Sequence, residues 1–186
     1  MKIAISGLSG CGNTTASRLL ASRLGIPAIN YTFRDLSKEL GVSVEELHAL
    51  AISEFPKYDL MLDKKQFQLA SRHSSCVIGS RLAVWFDSRK IAGKLGLLPL
   101  KLDAKIWLDA PIETRAGRIA QREKKTLAEA LRETKERDAA NQKRYKKLYG
   151  INILQLPREA IVVNNEKRSA EETIEFIEKK LAEKNI

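Results

Sequence analysis

"GLSGCGNTT", residues 7–15, follows the short apolar run "KIAIS" at 2–6 and leads into "TTASRLLASRL" at 14–24. The apolar run is rich in β-branched residues, as a buried strand is, and the last segment has helical periodicity that ends at Gly25. Glycines between a strand and a helix let the loop amides and the helix N-terminus point at one anion. The stretch therefore predicts a phosphate-binding loop that opens an α/β fold.

Asn13 is the departure in this loop. The spacing is that of the motif G-x-x-x-x-G-K-[ST], but Asn13 stands at the lysine position and offers an amide donor without charge. Thr14 stands where a hydroxyl ligates Mg²⁺ in such loops. The alternative to a phosphate-binding loop is a tight glycine-rich turn that holds no ligand.

Strand-like and helix-like segments alternate along the rest of the chain. Further strands are predicted at 26–30, 75–80, 104–110 and 160–165, and further helices at 43–55, 57–72, 111–123, 126–149 and 169–181. Strands separated by helices form a parallel sheet that is covered on both faces. We therefore predict one domain, residues 1–186, built as a three-layer α/β sandwich around a parallel sheet of about five strands. Ligands of such sheets bind beyond the carboxyl ends of the strands.

The composition excludes several classes of protein. The chain has 186 residues, of which 44% are hydrophobic and 30% charged, and this is typical of a globular protein. No apolar run approaches the ~20 residues that a membrane span needs. Cys11 lies inside the glycine loop, where a disulfide with Cys76 is awkward. We expect reduced thiols and a cytoplasmic protein that has no membrane partner.

Basic residues are concentrated in one segment of the chain. Residues 115–147 carry 12 basic and 5 acidic residues, a net charge of +7, whereas the remainder carries 21 and 18, a net charge of +3. Such a segment attracts a polyphosphate or nucleic acid, or it is a solvated helical face. Aromatic residues are not interleaved with the basic ones, which argues against nucleic acid.

Polar residues repeat at helical spacing within this basic segment. They are Arg115, Arg118 and Arg122 on one predicted helix, and Arg137, Asn141 and Arg144 on the next. A convergent cage of arginines suits phosphoryl transfer, because charge spreads over the transferred oxygens. The alternative is a set of surface arginines paired with Glu133, Glu136 or Asp138.

Six segments together resemble cytidylate kinases, and the end of the fifth is similar to the archaeal branch of that family. They are "GLSGCGNTT" (7–15), "YTFRDL" (31–36), "VIGSRLA" (77–83), "DAKIWLDAPIETRAGRIAQRE" (103–123), "ERDAANQKRYKKLYGI" (136–151) and "VVNN" (162–165). Adenylate and shikimate kinases share the loop but not the pattern ERDxxNxxRY. The resemblance implies a P-loop nucleoside monophosphate kinase, with a monophosphate-binding helical region at about 30–75 and a lid at about 112–130.

The resemblance also implies roles for individual residues. The residues assigned to the ATP phosphates are Gly7, Leu8, Ser9, Gly10, Cys11, Gly12, Asn13, Thr14 and Thr15. Those assigned to CMP are Arg34 and Arg81 at the phosphate, and Arg137, Asn141 and Arg144 at the phosphate and ribose. Arg118 and Arg122 lie in or beside the implied lid, and with Asn13 and Thr14 they form the predicted catalytic set.

Asp59 and Asp63 lie one helical turn apart in the implied monophosphate-binding region. A carboxylate there, Asp63 in our assignment, suits the exocyclic amine of cytosine, because ionised carboxylates only accept hydrogen bonds. Ion pairing with Lys57 or Lys64 is the alternative for both carboxylates.

The sequence departs from the pattern of the resembled family in three places, one of which spans Gly79 and Ser80. Asn13 replaces the usual lysine, where archaeal relatives often have threonine, so the lid arginines are expected to supply the missing charge. Ser80 replaces the usual glycine of an acidic-Gly-Arg pattern that ends at Arg81, and Gly79 removes a carboxylate that could hold Mg²⁺ through water. Asn141 replaces an aspartate that is common in bacterial members.

The sequence thus predicts a monomeric kinase that transfers the γ-phosphate of ATP to CMP or dCMP, with Mg²⁺ held at Thr14. A kinase for UMP or another small molecule is the second hypothesis, and a nucleic-acid-binding P-loop protein is the third.

Overall fold

The computed structural model describes residues 1–157 and 159–186. In them, five parallel strands form one sheet in the order β2-β3-β1-β4-β5. The strands are β1 (Lys2–Gly7), β2 (Ala28–Ile29), β3 (Cys76–Gly79), β4 (Ala104–Asp109) and β5 (Ile161–Asn164). The central strand pairs on both sides, so that Ala4 lies opposite Ile78 on β3 and Lys105 on β4. The predicted parallel sheet is confirmed.

Eight helices connect and cover the strands within the described residues. They are α1 (Asn13–Leu24), α2 (Phe33–Leu40), α3 (Val44–Ser53), α4 (Lys57–Ser71), α5 (Arg89–Leu95), α6 (Ile112–Glu123), α7 (Leu127–Tyr149) and α8 (Ala170–Ala182), with a 3₁₀ turn at Ala83–Trp85. Helices α2 and α5 were not predicted from the sequence. No helix in the part of the chain that is described is long and apolar enough to cross a membrane.

The core has one apolar layer on each face of the sheet. Strand β1 shows why: Ile3 and Ile5 belong to the layer beneath α1 and α8, whereas Ala4 belongs to the layer beneath α4, α5 and α7. This alternation is the period of two that a strand buried on both faces requires. The elements that carry the charged residues are therefore held on a rigid sheet.

The predicted monophosphate-binding region, residues 30–75, is helical between β2 and β3. It has a small apolar cluster of its own, in which Leu36 of α2, Leu47 of α3 and Tyr58 of α4 are buried. Helix α2 starts at a reciprocal cap between Thr32 and Asp35. The region therefore packs as a unit beside the sheet; its binding role and that of the lid region at 112–130 stay predictions.

Cys11 and Cys76 are buried free thiols. The expectation that they form no disulfide is confirmed. Burial raises the pKa of the Cys11 thiol to about 11, so this cysteine of the glycine loop is an inert packing residue at neutral pH.

Candidate active site

A cavity of about 980 Å³ lies at the carboxyl edge of the sheet. Its wall comes from the loop after β1, the segments that follow β2, β3 and β5, and every helix except α5. This is the edge at which the parallel sheet was expected to bind its ligand. It brings the glycine loop and the arginines of distant segments into one space.

The glycine loop turns sharply between β1 and the first turn of α1. Gly10 (φ 83°) and Gly12 (φ 91°) adopt left-handed conformations, and the amide of Cys11 donates to the carbonyl of Leu8 at 3.1 Å. Gly12 caps α1 with no side-chain hydrogen bond to the helix amides. The first turn of α1 therefore faces the cavity as a positive helix end without a side-chain cap.

Arg115 holds this loop from behind. Its side chain is 7% exposed, and its Nη1 donates to the carbonyl of Ser9 at 2.9 Å and to Asp138 at 2.6 Å. The other carboxylate oxygen of Asp138 accepts from the amide of Ser9 at 3.1 Å. A Cβ on Gly10 would lie 2.6 Å from the carbonyl oxygen of Arg115, so only glycine fits there. The pairing alternative therefore holds for Arg115, which is an internal brace.

Asn13 turns its amide back onto the loop. Its Nδ2 donates to the carbonyl of Gly7 at 2.8 Å, and its Oδ1 is buried without a hydrogen-bond partner in the described residues. Gly7 itself lies behind the cavity wall, where an added Cβ would meet the carbonyl of Leu108 at 2.6 Å. Asn13, the residue at the lysine position, therefore binds the backbone of the loop itself.

Thr14 and Thr15 lie on the first turn of α1, are exposed and line the cavity. The described residues contain no group of three or more His, Cys, Asp or Glu side chains arranged to hold a metal. A single hydroxyl at a polyphosphate site fits Mg²⁺, since this ion takes most of its oxygen ligands from substrate phosphates and water. Thr14 is the residue that would hold it.

Arginines from three other segments also line the cavity. Arg34 belongs to the first turn of α2, Arg81 follows β3, and Arg144 lies on α7. Arg144 forms an ion pair with Asp59 at 3.0 Å, and its Nη1 donates to the Oδ1 of Asn141 at 3.2 Å. Asn141 is buried behind the wall, so its direct contact is with Arg144.

Arg118, Arg122 and Arg137 line the cavity near the β5 side and all have protein partners. Arg118 donates to Asn165 twice, at 3.1 Å to Oδ1 and at 2.6 Å to the carbonyl. Arg122 pairs with Glu123 at 2.7 Å, and Arg137 pairs with Glu123 and with Glu133. Arg137 and the other cations there lower the pKa of Glu123 to about 2. These arginines therefore line the cavity, as a cage would require, and at the same time bind other residues of the protein, as the alternative predicted.

Asp63 and Gln66 place oxygens at the opposite end of the cavity, on α4. The hydroxyl of Tyr149 donates to Asp63 at 2.8 Å, and burial raises the pKa of Asp63 to about 7. Gln66 donates through Nε2 to the carbonyl of Tyr31 at 2.6 Å, which leaves its buried Oε1 without a partner in the described residues. The alternative of an ion pair between these aspartates and Lys57 was wrong. Lys57 pairs with Glu54, and Asp59 pairs with Arg144.

Several residues of the cavity wall were not predicted from the sequence as site residues. They are Asn30, Tyr31, Gln66, Tyr145, Asn165 and Arg168. Two of them carried a usable signal: Gln66 lies three residues beyond Asp63 on the same helix, and Asn165 directly follows the β5 strand at the carboxyl edge.

Comparison with known proteins gives consistent matches in sequence. A sequence model described as the cytidylate kinase-like family matches residues 2–167. A protein named cytidylate kinase 2 from Borreliella afzelii is 35% identical over 189 aligned residues, covering 100% of this chain and 99% of that protein. A cytidylate kinase from Pyrococcus horikoshii is 37% identical over 171 residues, covering 91% of this chain and 82% of that protein.

Solved structures match across nearly the whole chain at low identity. Deoxyadenosine kinase from M. mycoides with bound dATP has a TM-score of 0.58 and 21% identity, covering 98% of this chain and 100% of that one. Shikimate kinase from Bacteroides thetaiotaomicron has a TM-score of 0.61 and 14% identity, covering 98% of each chain. These likenesses show the fold.

Proposed function

The chain belongs to the cytidylate kinase-like family, and on that premise we propose that it transfers the γ-phosphate of ATP to CMP or dCMP. The observation that carries the proposal is the shared cavity, whose wall includes both the glycine loop and the side chains of Asp63 and Gln66. Arg34, Arg81 and Arg144 lie on its wall. Donor and acceptor phosphates would meet among these arginines.

The reaction requires little covalent chemistry from the protein. A phosphate oxygen of CMP forms a bond to the γ-phosphorus, and the bond from that phosphorus to the bridging oxygen breaks, with its electron pair remaining on ADP. The attacking oxygen is already ionised at neutral pH, so no general base is needed. The arginines position the two nucleotides and stabilise the spread charge, while Mg²⁺ bound at Thr14 would supply further charge neutralisation at the phosphates.

The far end of the cavity favours cytosine over uracil. Gln66 is fixed by its bond to Tyr31, so that its unpartnered oxygen is an acceptor, and an ionised Asp63 is a second acceptor. Both suit the exocyclic amine of cytosine. Uracil has a carbonyl at the same position, and its oxygen cannot donate a hydrogen bond to Gln66 or to the ionised Asp63. The buried acceptors would then stay unpaired, which costs binding free energy and disfavours UMP.

Arginine placement also supports a nucleotide substrate over nucleic acid. Of the basic segment 115–147, Arg118, Arg122, Arg137 and Arg144 line the cavity and Arg115 is buried. The glycine loop and the arginines assigned to CMP line one cavity, and we propose a monomer that needs no nucleic-acid partner. The two free thiols suit the reducing cytoplasm.

The test is a transfer assay with ATP labelled at the γ-phosphate and a panel of CMP, dCMP, UMP and AMP, each with and without Mg²⁺. We expect labelled CDP and dCDP to form in the presence of Mg²⁺, with a higher kcat/KM for CMP than for UMP or AMP. Transfer to none of the four, or a preference for UMP or AMP, contradicts the proposal.

A further inference from the structure

The glycine loop lacks the positive charge that its lysine normally provides. That lysine reaches the β- and γ-phosphates of the donor, and here Asn13 has an uncharged amide that is bonded to Gly7. Phosphoryl transfer depends on neutralising these oxygens. Another cation must therefore stand close to the loop.

Among the described arginines that line the cavity, Arg81 is the one that donates a hydrogen bond to the glycine loop. Its Nη2 donates to the Oγ of Ser9 at 3.1 Å, across 72 positions of the chain. Arg115 also touches the loop, but it is buried behind it and its charge is neutralised by Asp138. Arg118 and Arg122, which the sequence favoured as the substitute charges, donate to Asn165 and Glu123.

The guanidinium of Arg81 has unused donors. Its Nε is buried and has no hydrogen-bond partner in the described part of the chain. A buried donor of a charged group that is left unpaired is costly, which is why such donors almost always have partners. No carboxylate of the described residues forms an ion pair with Arg81, in contrast to Arg144 and Arg137. An anion in the cavity would supply the counter-charge that the described residues do not give Arg81.

The turn after β3 fixes Arg81 beside the loop. The hydroxyl of Ser6, near the end of β1, donates to the carbonyl of Ser80 at 2.7 Å and accepts from the amide of Val84 at 3.2 Å. The hydroxyl of Ser80 accepts from the amide of Leu82 at 3.2 Å. These bonds tie both sides of Arg81 to the strand from which the glycine loop emerges, so its guanidinium is preorganised there.

We propose that Arg81 supplies the charge that the missing lysine would give to the donor's terminal phosphates, in addition to its contact with the acceptor phosphate. The inference rests on the proposed function for the identity of the donor, ATP. A guanidinium carries its donors in a planar fork, which lets one arginine bind two phosphate groups at once. Arg81 would thus bridge the two substrates at the point of transfer.

The test is calorimetry with Mg²⁺ and ATP alone, because no acceptor phosphate is then present. Arg81→Ala is expected to weaken ATP binding at least about tenfold, the loss typical of a charge-assisted hydrogen bond. Adding Asn13→Lys to Arg81→Ala is expected to restore most of that loss. Arg72→Ala, an exposed arginine outside the cavity, is the matched control and should bind ATP as the unchanged protein does.

Unchanged ATP affinity in Arg81→Ala, or strict additivity between positions 13 and 81, would overturn the inference. Stronger coupling of Asn13→Lys with Arg118→Ala than with Arg81→Ala would overturn it as well. If Arg81→Ala does not fold, Arg81→Gln keeps an amide donor for Ser9 without the charge, and the same result is expected. The transfer assay on the unchanged protein is independent: transfer to CMP with normal ATP binding in Arg81→Ala sinks only this inference.

Discussion

At the scale of single residues, the glycine loop shows what spacing can predict. Gly10 and Gly12 have the left-handed conformations that the motif requires, and Thr14 is exposed on the first turn of α1. The spacing did not predict that Asn13 would brace Gly7, because an amide side chain has several possible partners and its choice depends on three-dimensional contacts.

Thr14→Ala is expected to lower the Mg²⁺-dependent rate of transfer at least about tenfold, since the hydroxyl is the protein oxygen that the motif gives to the metal. Thr14→Ser keeps that hydroxyl and should stay close to the unchanged protein. Initial rates over a Mg²⁺ titration measure both. Equal rates for Thr14→Ala and the unchanged protein at all Mg²⁺ concentrations would rule out this role.

Asp63 is expected to make the preference for CMP depend on pH. Its pKa is raised by burial to about 7, so the carboxyl is protonated below that pH and ionised above it. The protonated form can donate to the carbonyl of uracil, whereas the ionised form accepts only from the amine of cytosine. The ratio of kcat/KM for CMP to that for UMP should therefore rise as the pH increases from about 6 to about 8.

The two substrates share the same phosphate, so its ionisation cancels in this ratio. Asp63→Asn cannot titrate and should give a ratio that is flat with pH and lower than that of the unchanged protein at pH 8. If the ratio of kcat/KM values does not change with pH in the unchanged protein, Asp63 does not select the base.

At the scale of elements, helix caps distinguish what the sequence could predict. Helices α3 and α8, predicted over 43–55 and 169–181, each follow a serine whose side chain accepts from the backbone amide three residues on; the reciprocal bond of a capping box forms at Ser169 with Glu172. Helix α2 also has a capping box, at Thr32 and Asp35. The helix is only eight residues long, too short for its periodicity to predict it from the sequence. Helix α5 has seven residues and no side-chain cap, so its formation depends on the burial of Ile91 and Leu95 in the core.

Helix α2 presents Arg34 to the cavity, and Arg34→Ala is expected to weaken CMP binding without a comparable loss for ATP. Loss of a charge-assisted bond of roughly 1.5–3 kcal/mol corresponds to about a tenfold to hundredfold change in affinity. Lys38→Ala, which removes an exposed cation from the same helix outside the cavity wall, is the control. Equal losses for CMP and ATP in Arg34→Ala would show that α2 does not belong to the acceptor side.

Helices α6 and α7 hold the glycine loop through the pair of Arg115 and Asp138. Arg115→Ala leaves the largely buried carboxylate of Asp138 without its cation, so the free energy of unfolding should fall by roughly 3–5 kcal/mol. ATP affinity should fall with it, because Ser9 loses a bond to its carbonyl. Denaturant unfolding measures the first effect, with Arg132→Ala on the exposed face of α7 as the control. A fall in the free energy of unfolding below about 1 kcal/mol is the value expected for an exposed ion pair, and it would contradict a bracing role for Arg115.

At the scale of the whole molecule, alternating elements were enough to predict the parallel sheet and the edge at which the cavity lies. They were not enough to predict which side chains meet there. Arg81 contacts Ser9 across 72 positions, and Tyr149 contacts Asp63 across 86. Such contacts depend on the strand order and on the packing of α4 against its neighbours, neither of which is encoded in local periodicity.

If one cavity holds the donor and the acceptor end to end, a single two-headed ligand occupies both sites. Adenosine and cytidine joined by five phosphates should bind once per chain in calorimetry, more tightly than ATP or CMP, because linking the two makes the second binding event intramolecular. It should also displace both nucleotides. Affinity no greater than that of ATP alone, or displacement of only one nucleotide, would contradict the account.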